Sequence, residues 1–254
     1  MRIADLTLAV RPRSPYEAMD LGVRLAQTEW ALLTRAWLAV AGPVFLLALL
    51  LTLTLDNMLW GWLLLWWCKP LYDMALLLVL SRRVFGSTLS VRELWRLLRD
   101  SAGMGLIGHL LWRRFSFSRA YALPVWVLEQ LPDNERRARL ALLQRQHNGK
   151  AQWLHIVMAH FDSFIQLTLI SIVFWLLPDS LRSGLWEMFS SGGSELTYLL
   201  SLGASFVAML IIEPFYVAAG FALYLNRRTE LEAWDLELAF RHLAGRMAER
   251  GKAA

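Results

Sequence analysis

The sequence predicts an all-α fold, a polytopic membrane helical bundle of about four transmembrane helices with additional amphipathic interfacial helices. Three observations carry that prediction. Apolar residues make up 57% of the 254-residue chain, mean hydropathy is +0.40, and the apolar residues come in long uninterrupted runs. Thirteen Trp is high for this length, and Trp is favoured at membrane interfaces, where its ring is half apolar and its N–H seeks water. Basic residues, finally, cluster between the apolar runs and almost never within them.

The elements follow in order. Ser14-Pro15-Tyr16-Glu17 reads as a helix start: Ser14 caps, Pro15 suits the first helical position and Glu17 completes a capping box. Tyr16, Met19, Val23, Ala26, Trp30, Leu33 and Trp37 then recur at spacings of three and four and mark one helix face, lying on the membrane or docked on the bundle. Residues 36–55 contain no charge and match the ~20 residues needed to cross the hydrocarbon. Residues 58–80 form a second span, interrupted by Cys68-Lys69-Pro70 and by Asp73.

Residues 81–150 form a loop with structure of its own. Ser90-Val91-Arg92-Glu93 is a second capping box, opening an amphipathic helix with Val91, Leu94, Trp95 and Leu98 on one face. Residues 102–112 are apolar and too short to span, so they read as interfacial or re-entrant. Residues 115–131 are aromatic and broken by Pro124, which suggests irregular structure against the surface. Residues 133–146 read as a polar helix ended by His147-Asn148-Gly149. A third span follows at 153–177, and a fourth at 195–226, long enough to tilt or bend at Pro214. The tail, 227–254, holds a short amphipathic helix through Leu231, Trp234, Leu238 and Leu243.

Charge sets the orientation. Of 26 Lys and Arg, five precede span one, 13 lie between spans two and three, and six follow span four. Only Arg182 falls in the opposite loops, and Lys69 lies within a span. The positive-inside rule then places both termini and the 81–150 loop in the cytoplasm. The mixed charges of the first 35 residues are not those of a cleavable leader, so the first span is expected to act as an uncleaved anchor.

Several function classes are excluded or weakened. A single Cys, Cys68, forms neither a disulfide framework nor a Cys-rich metal site. The net charge of +5 fits the positive-inside bias and attraction to anionic headgroups; no nucleic-acid-binding motif accompanies it. Residues 103–108, Gly-Met-Gly-Leu-Ile-Gly, formally match a dinucleotide fingerprint, but no strand precedes them. No nucleophile elbow, phosphate loop or zinc-protease helix occurs, so no catalytic residue, metal site or cofactor is predicted.

What remains are ionisable groups at membrane depth, where each needs a reason. Lys69 and Asp73 are four apart on one helix face, in reach of each other. The ten Leu and Val residues of span two favour insertion by roughly 3 to 6 kcal/mol, whereas an unpaired Lys69 and Asp73 would oppose it by roughly 5 to 7. The span therefore needs an internal pair, a neutralised group or a partner helix. Lys69, Asp73 and Glu213 are predicted to share one polar cluster, with Lys69 and Glu213 each preceding a proline, at Pro70 and Pro214. A proline frees a backbone carbonyl that wants a donor. His155 and Asp162 share a face near the start of span three, while His160 points elsewhere. Arg113, Arg114 and Arg119, around Ser116 and Ser118, read first as a plain positive-inside stop, with a patch able to hold a lipid phosphate as the alternative.

Three stretches carry a resemblance. They are Trp66-Trp67-Cys68-Lys69-Pro70-Leu71-Tyr72; Leu111-Trp112-Arg113-Arg114-Phe115-Ser116 with Leu123-Pro124-Val125 and Leu128-Glu129; and Glu213-Pro214-Phe215-Tyr216 through Tyr224-Leu225-Asn226-Arg227-Arg228 to Glu232-Ala233-Trp234-Asp235. In this order the chain resembles an uncharacterised family of proteobacterial inner-membrane proteins, often encoded beside MoxR-type ATPases. The resemblance implies no catalytic residues. It implies an accessory or scaffold role, with membrane lipid and other membrane or cytoplasmic proteins as partners, among them a MoxR-type ATPase system.

The leading expectation is thus a non-enzymatic membrane scaffold that binds partners through its cytoplasmic face, including Trp95, Trp112 and Trp126. Two alternatives stay open: a small transporter or channel component built on Lys69, Asp73 and Glu213, and an interfacial lipid-acting enzyme using Arg113, Arg114 and the histidines.

Overall fold

Helix α1 (Pro15–Thr28) starts as its local sequence dictates, with the Ser14 hydroxyl accepting from the Glu17 N–H at 3.2 Å. In the computed structural model, which describes residues 13–101, 107–111, 113–178, 182, 184, 187 and 195–232, no strand occurs among the described residues. Helix α2 (Trp30–Thr54) follows after a bend at Glu29. A tight turn at Asp56-Asn57, with Asp56 at φ 46°, leads into α3 (Met58–Trp67), and α4 (Lys69–Val84) continues it beyond Cys68. Next come α5 (Val91–Ser101), α6 (Ile107–Leu111), a 3₁₀ turn at Arg113–Phe115, α7 (Arg119–Val127), α8 (Asp133–Leu176) and α9 (Glu195–Glu232). Four helical stretches are long and apolar enough to cross a membrane: Trp30–Thr54, Met58–Val84, Asp133–Leu176 and Glu195–Glu232.

Helices α4 and α9 form the centre. Tyr72 through Ser81 of α4 are all buried, as is most of α9 from Ile212 to Tyr224. Helix α2 packs on both, wedging Trp37 against Tyr72 and Phe206 at ring distances of 5.5 and 4.9 Å. Helix α1 docks along α9 through Ala18, Met19, Gly22 and Ala26. This buried face is slightly rotated from the expected stripe, since Tyr16 is 51% exposed. The rotation has a simple cause. A Cβ on Gly22 would lie 2.6 Å from Ala219 Cα, so the two backbones approach as only a glycine allows.

Four segments depart from the sequence expectation. The polar helix at 133–146 and the span at 153–177 are one 44-residue helix, α8, running through Asn148 and Gly149. An interior Gly costs only ~1 kcal/mol of helix propensity, and burial of Leu143, His147, Ala151 and Leu154 on both sides of it outweighs that. Span two, expected over 58–80 with an interruption at Cys68-Lys69-Pro70, does divide at Cys68, but it extends to Val84. Span four likewise continues past Asn226 to Glu232, so Arg227 and Arg228 are helical.

The largest departure is the 115–131 region. It is no irregular surface segment: α7 inserts into the bundle, burying Ala120, Tyr121, Leu123, Pro124, Val125 and Val127. The Ala120 N–H donates to the Tyr216 hydroxyl at 3.3 Å, and a Cβ on Gly220 would lie 2.8 Å from the Ala120 carbonyl carbon. Both partners belong to the apolar part of α9. Residues 1–12, 102–106 and 112, most of 179–194, and 233–254, which include the first part of the glycine-rich run, Trp112 and most of the expected tail helix, lie outside the described residues.

The outer half of α8 is the bundle's exposed edge. None of its apolar window is buried, and Phe161, Phe164, Leu167, Ile172 and Trp175 all face outward. An outward helix face this apolar and uncovered by protein is the form expected of a segment meant for lipid or another helix.

Candidate functional site

The most concentrated chemistry lies at the break between α3 and α4. The Cys68-Lys69-Pro70 sequence ends α3, because proline has no N–H to continue the ladder. The carbonyls of Trp66 and Trp67 accept from the Arg114 guanidinium at 3.0 and 3.4 Å, and that guanidinium also lies 3.5 Å over the Trp66 ring. Arg114 therefore acts as a C-terminal cap reaching in from the loop, matching the partial negative charge of the helix end.

Lys69 opens α4 and pairs with Glu213 of α9, Nζ to Oε1 at 2.5 Å. Asp73, one turn further, accepts from Arg119 Nε of α7 at 2.7 Å. Asp73 and Glu213 are fully buried, and the Arg119 side chain is 5% exposed. Of the compensations open to span two, the structure uses partner helices: Lys69 and Asp73, one turn apart, are each taken by a pair between helices. The insertion of α7 is the reason: Arg119 takes Asp73, and Lys69 is left to Glu213.

Helix α8 closes the cluster. His155 Nδ1 meets the Tyr216 hydroxyl at 2.9 Å, and Asp162 lies near enough to Lys69 and Glu213 to feel both charges. Lys69, Asp73, Glu213, His155, Asp162 and Arg119 therefore gather in one place, while His160 is exposed and bonds only the Ile156 carbonyl, at 2.7 Å. Several buried oxygens there, Asp73 Oδ1 and Asp162 Oδ1 among them, have no hydrogen-bond partner among the described residues. No group of three His, Cys, Asp or Glu among the described residues is arranged to hold a metal.

The arginine patch of the sequence reading is dispersed. Arg114 caps α3 and Arg119 joins the ionic cluster. Only Arg113 turns aside, its guanidinium 3.2 Å over the Trp126 ring. Ser116 and Ser118 bond each other at 3.2 Å.

A second network joins the end of α7 to α8 and α9. Glu129 follows α7 and receives Arg139 of α8 at 3.1 Å and the Tyr224 hydroxyl of α9 at 2.6 Å. Arg228 and Arg139 both reach Glu232, the former at 2.7 Å. Nearby, Asn226 exchanges two hydrogen bonds of 2.9 Å with the Arg13 backbone, which anchors the entry to α1. The only sequence signal was the density of charge at 227–232, which reads equally well as a solvated helix end. At α5 the local signal sufficed: Ser90 and Glu93 cap reciprocally, at 3.3 and 2.9 Å. The Ser90 hydrogen bonds hold the Glu93 carboxyl below its ordinary pKa. Leu94 and Leu98 are buried, while Val91 and Trp95 of the same face remain 51% and 40% exposed. No family model, curated protein or solved structure matches the chain.

Proposed function

We propose that the protein is a non-enzymatic integral scaffold of a bacterial inner membrane, with both termini and the 81–150 loop in the cytoplasm, binding partner proteins through that face. The carrying observation is the double clamp of Lys69 with Glu213 and Asp73 with Arg119. It ties two spanning helices and the inserted loop helix into one rigid body, and it engages each of these charges with an opposite one. A buried ion pair serves specificity of packing better than it serves stability. A device of that kind suits a platform that presents a fixed surface.

The presented surface includes α5, whose Val91 and Trp95 continue its buried face into solvent. The family resemblance makes a MoxR-type ATPase system the first partner to seek. Affinity purification of the tagged protein from membranes, read by mass spectrometry, tests the reading. A specific partner should be enriched, and Trp95→Ala should deplete it. Recovery of chaperones alone would overturn the proposal.

A second reading, a transporter or channel component, is favoured by the unpartnered buried oxygens of Asp73 and Asp162 beside the clamp. It predicts proton or ion flux in proteoliposomes that Asp162→Asn abolishes. No flux above protein-free vesicles would remove it.

A further inference from the structure

We infer that Arg113, Trp126 and Arg136 form a binding site for the phosphate of an anionic membrane lipid. The inference goes beyond the scaffold reading and needs only the membrane location, so each can fail without the other. Two guanidinium groups converge on one indole. Arg113 lies 3.2 Å from the Trp126 ring centre and Arg136, from the first turn of α8, lies 4.4 Å from it. Cations stacked on one aromatic ring gain from its π face, yet they repel each other.

Among the described residues, one acid, Asp133, acts against the two guanidinium charges. Burial lowers the Arg113 pKa, Arg136 lowers it further, and Asp133 only partly offsets them. Asp133 itself is engaged by Arg136 at 2.8 Å, and its side chain is 73% exposed. The Leu131 carbonyl takes another Arg136 hydrogen bond. Even so, Arg113 Nη1 and Arg136 Nε are buried with no hydrogen-bond partner among the described residues. Two cations against one acid, with unused donors, is a combination that a phosphate completes.

The apolar surroundings select a lipid over free phosphate. Leu111 and Phe115, two residues to either side of Arg113 in the chain, are 46% and 65% exposed. Such residues offer an acyl chain a surface and offer inorganic phosphate nothing. An indole set among arginines is also the composition of the membrane's headgroup level. Gly108 makes room for the arrangement, since a Cβ there would lie 2.9 Å from Arg113 Nη1.

Native mass spectrometry of the full chain, purified in a nonionic detergent, tests the site against phosphatidylglycerol, phosphatidylcholine and inorganic phosphate. Phosphatidylglycerol should bind in preference to phosphatidylcholine, a comparison that needs no variant. Replacing both arginines, Arg113→Gln with Arg136→Gln, should weaken it about tenfold or more. Arg92→Gln, at an exposed position of α5, should leave it unchanged. Equal binding of the two lipids, or undiminished phosphatidylglycerol binding by the Gln variant, would overturn the site. Displacement of the lipid by millimolar inorganic phosphate would overturn its assignment to a lipid.

Discussion

Arg119 donates from Nε to Asp73 Oδ2 at 2.7 Å, joining a short helix of the long loop to the central helix α4, with neither side chain open to solvent. Removing one partner strands the other as a buried charge. Arg119→Met alone is expected to cost about 3 to 5 kcal/mol, whereas adding Asp73→Leu should recover most of it, because an apolar pair of similar volume replaces a buried ion pair at little loss. Unfolding midpoints in detergent measure both. A double variant as unstable as the single one would show that the pair is not the reason for the cost.

The clamp also predicts who is coupled to whom. Lys69 and Asp73 are one helical turn apart, but Lys69 contacts Glu213. A double-mutant cycle on Lys69→Met and Glu213→Gln should give a coupling of about 2 kcal/mol, and a cycle on Lys69→Met and Asp73→Asn a coupling below about 1 kcal/mol. The reverse order would restore the pairing within the helix and remove the clamp.

Two glycines separate packing from propensity. A Cβ on Gly22 meets the Ala218 and Ala219 backbone of α9, whereas one on Gly42 of α2 meets nothing within 4 Å. Gly22→Ala should destabilise by about 1 to 3 kcal/mol through overpacking, and should speed protease cleavage in α1. Gly42→Ala should be neutral or stabilising by up to about 1 kcal/mol. Equal effects at the two positions would show that α1 does not dock as described.

The sequence-readable part of this architecture is local. The caps at Ser14 and Ser90 involve groups three residues apart, so their chemistry is complete within the pattern. The four apolar stretches are legible for a related reason: crossing hydrocarbon is a demand on one segment at a time. Helix α7 was not legible. Its Pro124 and aromatic residues suit a surface segment equally well, and what buries it is the hollow beside Tyr216 and Gly220 of a helix about 100 residues away. Asn148-Gly149 misleads in the opposite direction, since a weak local helix breaker yields to packing on both sides.

The same division holds at the site. Composition and spacing by themselves determined that the chain is all-α, where its long apolar helices lie, and that Lys69, Asp73 and Glu213 needed compensation. Those are costs fixed by residue type and depth alone. Only the tertiary structure decided how the compensation is made. Arg119 and Asp73 are separated by 46 residues, and no periodicity announces an ion pair across that distance. It forms because α7 fills a gap between helices, and the charge it brings in decides that Lys69 pairs with Glu213.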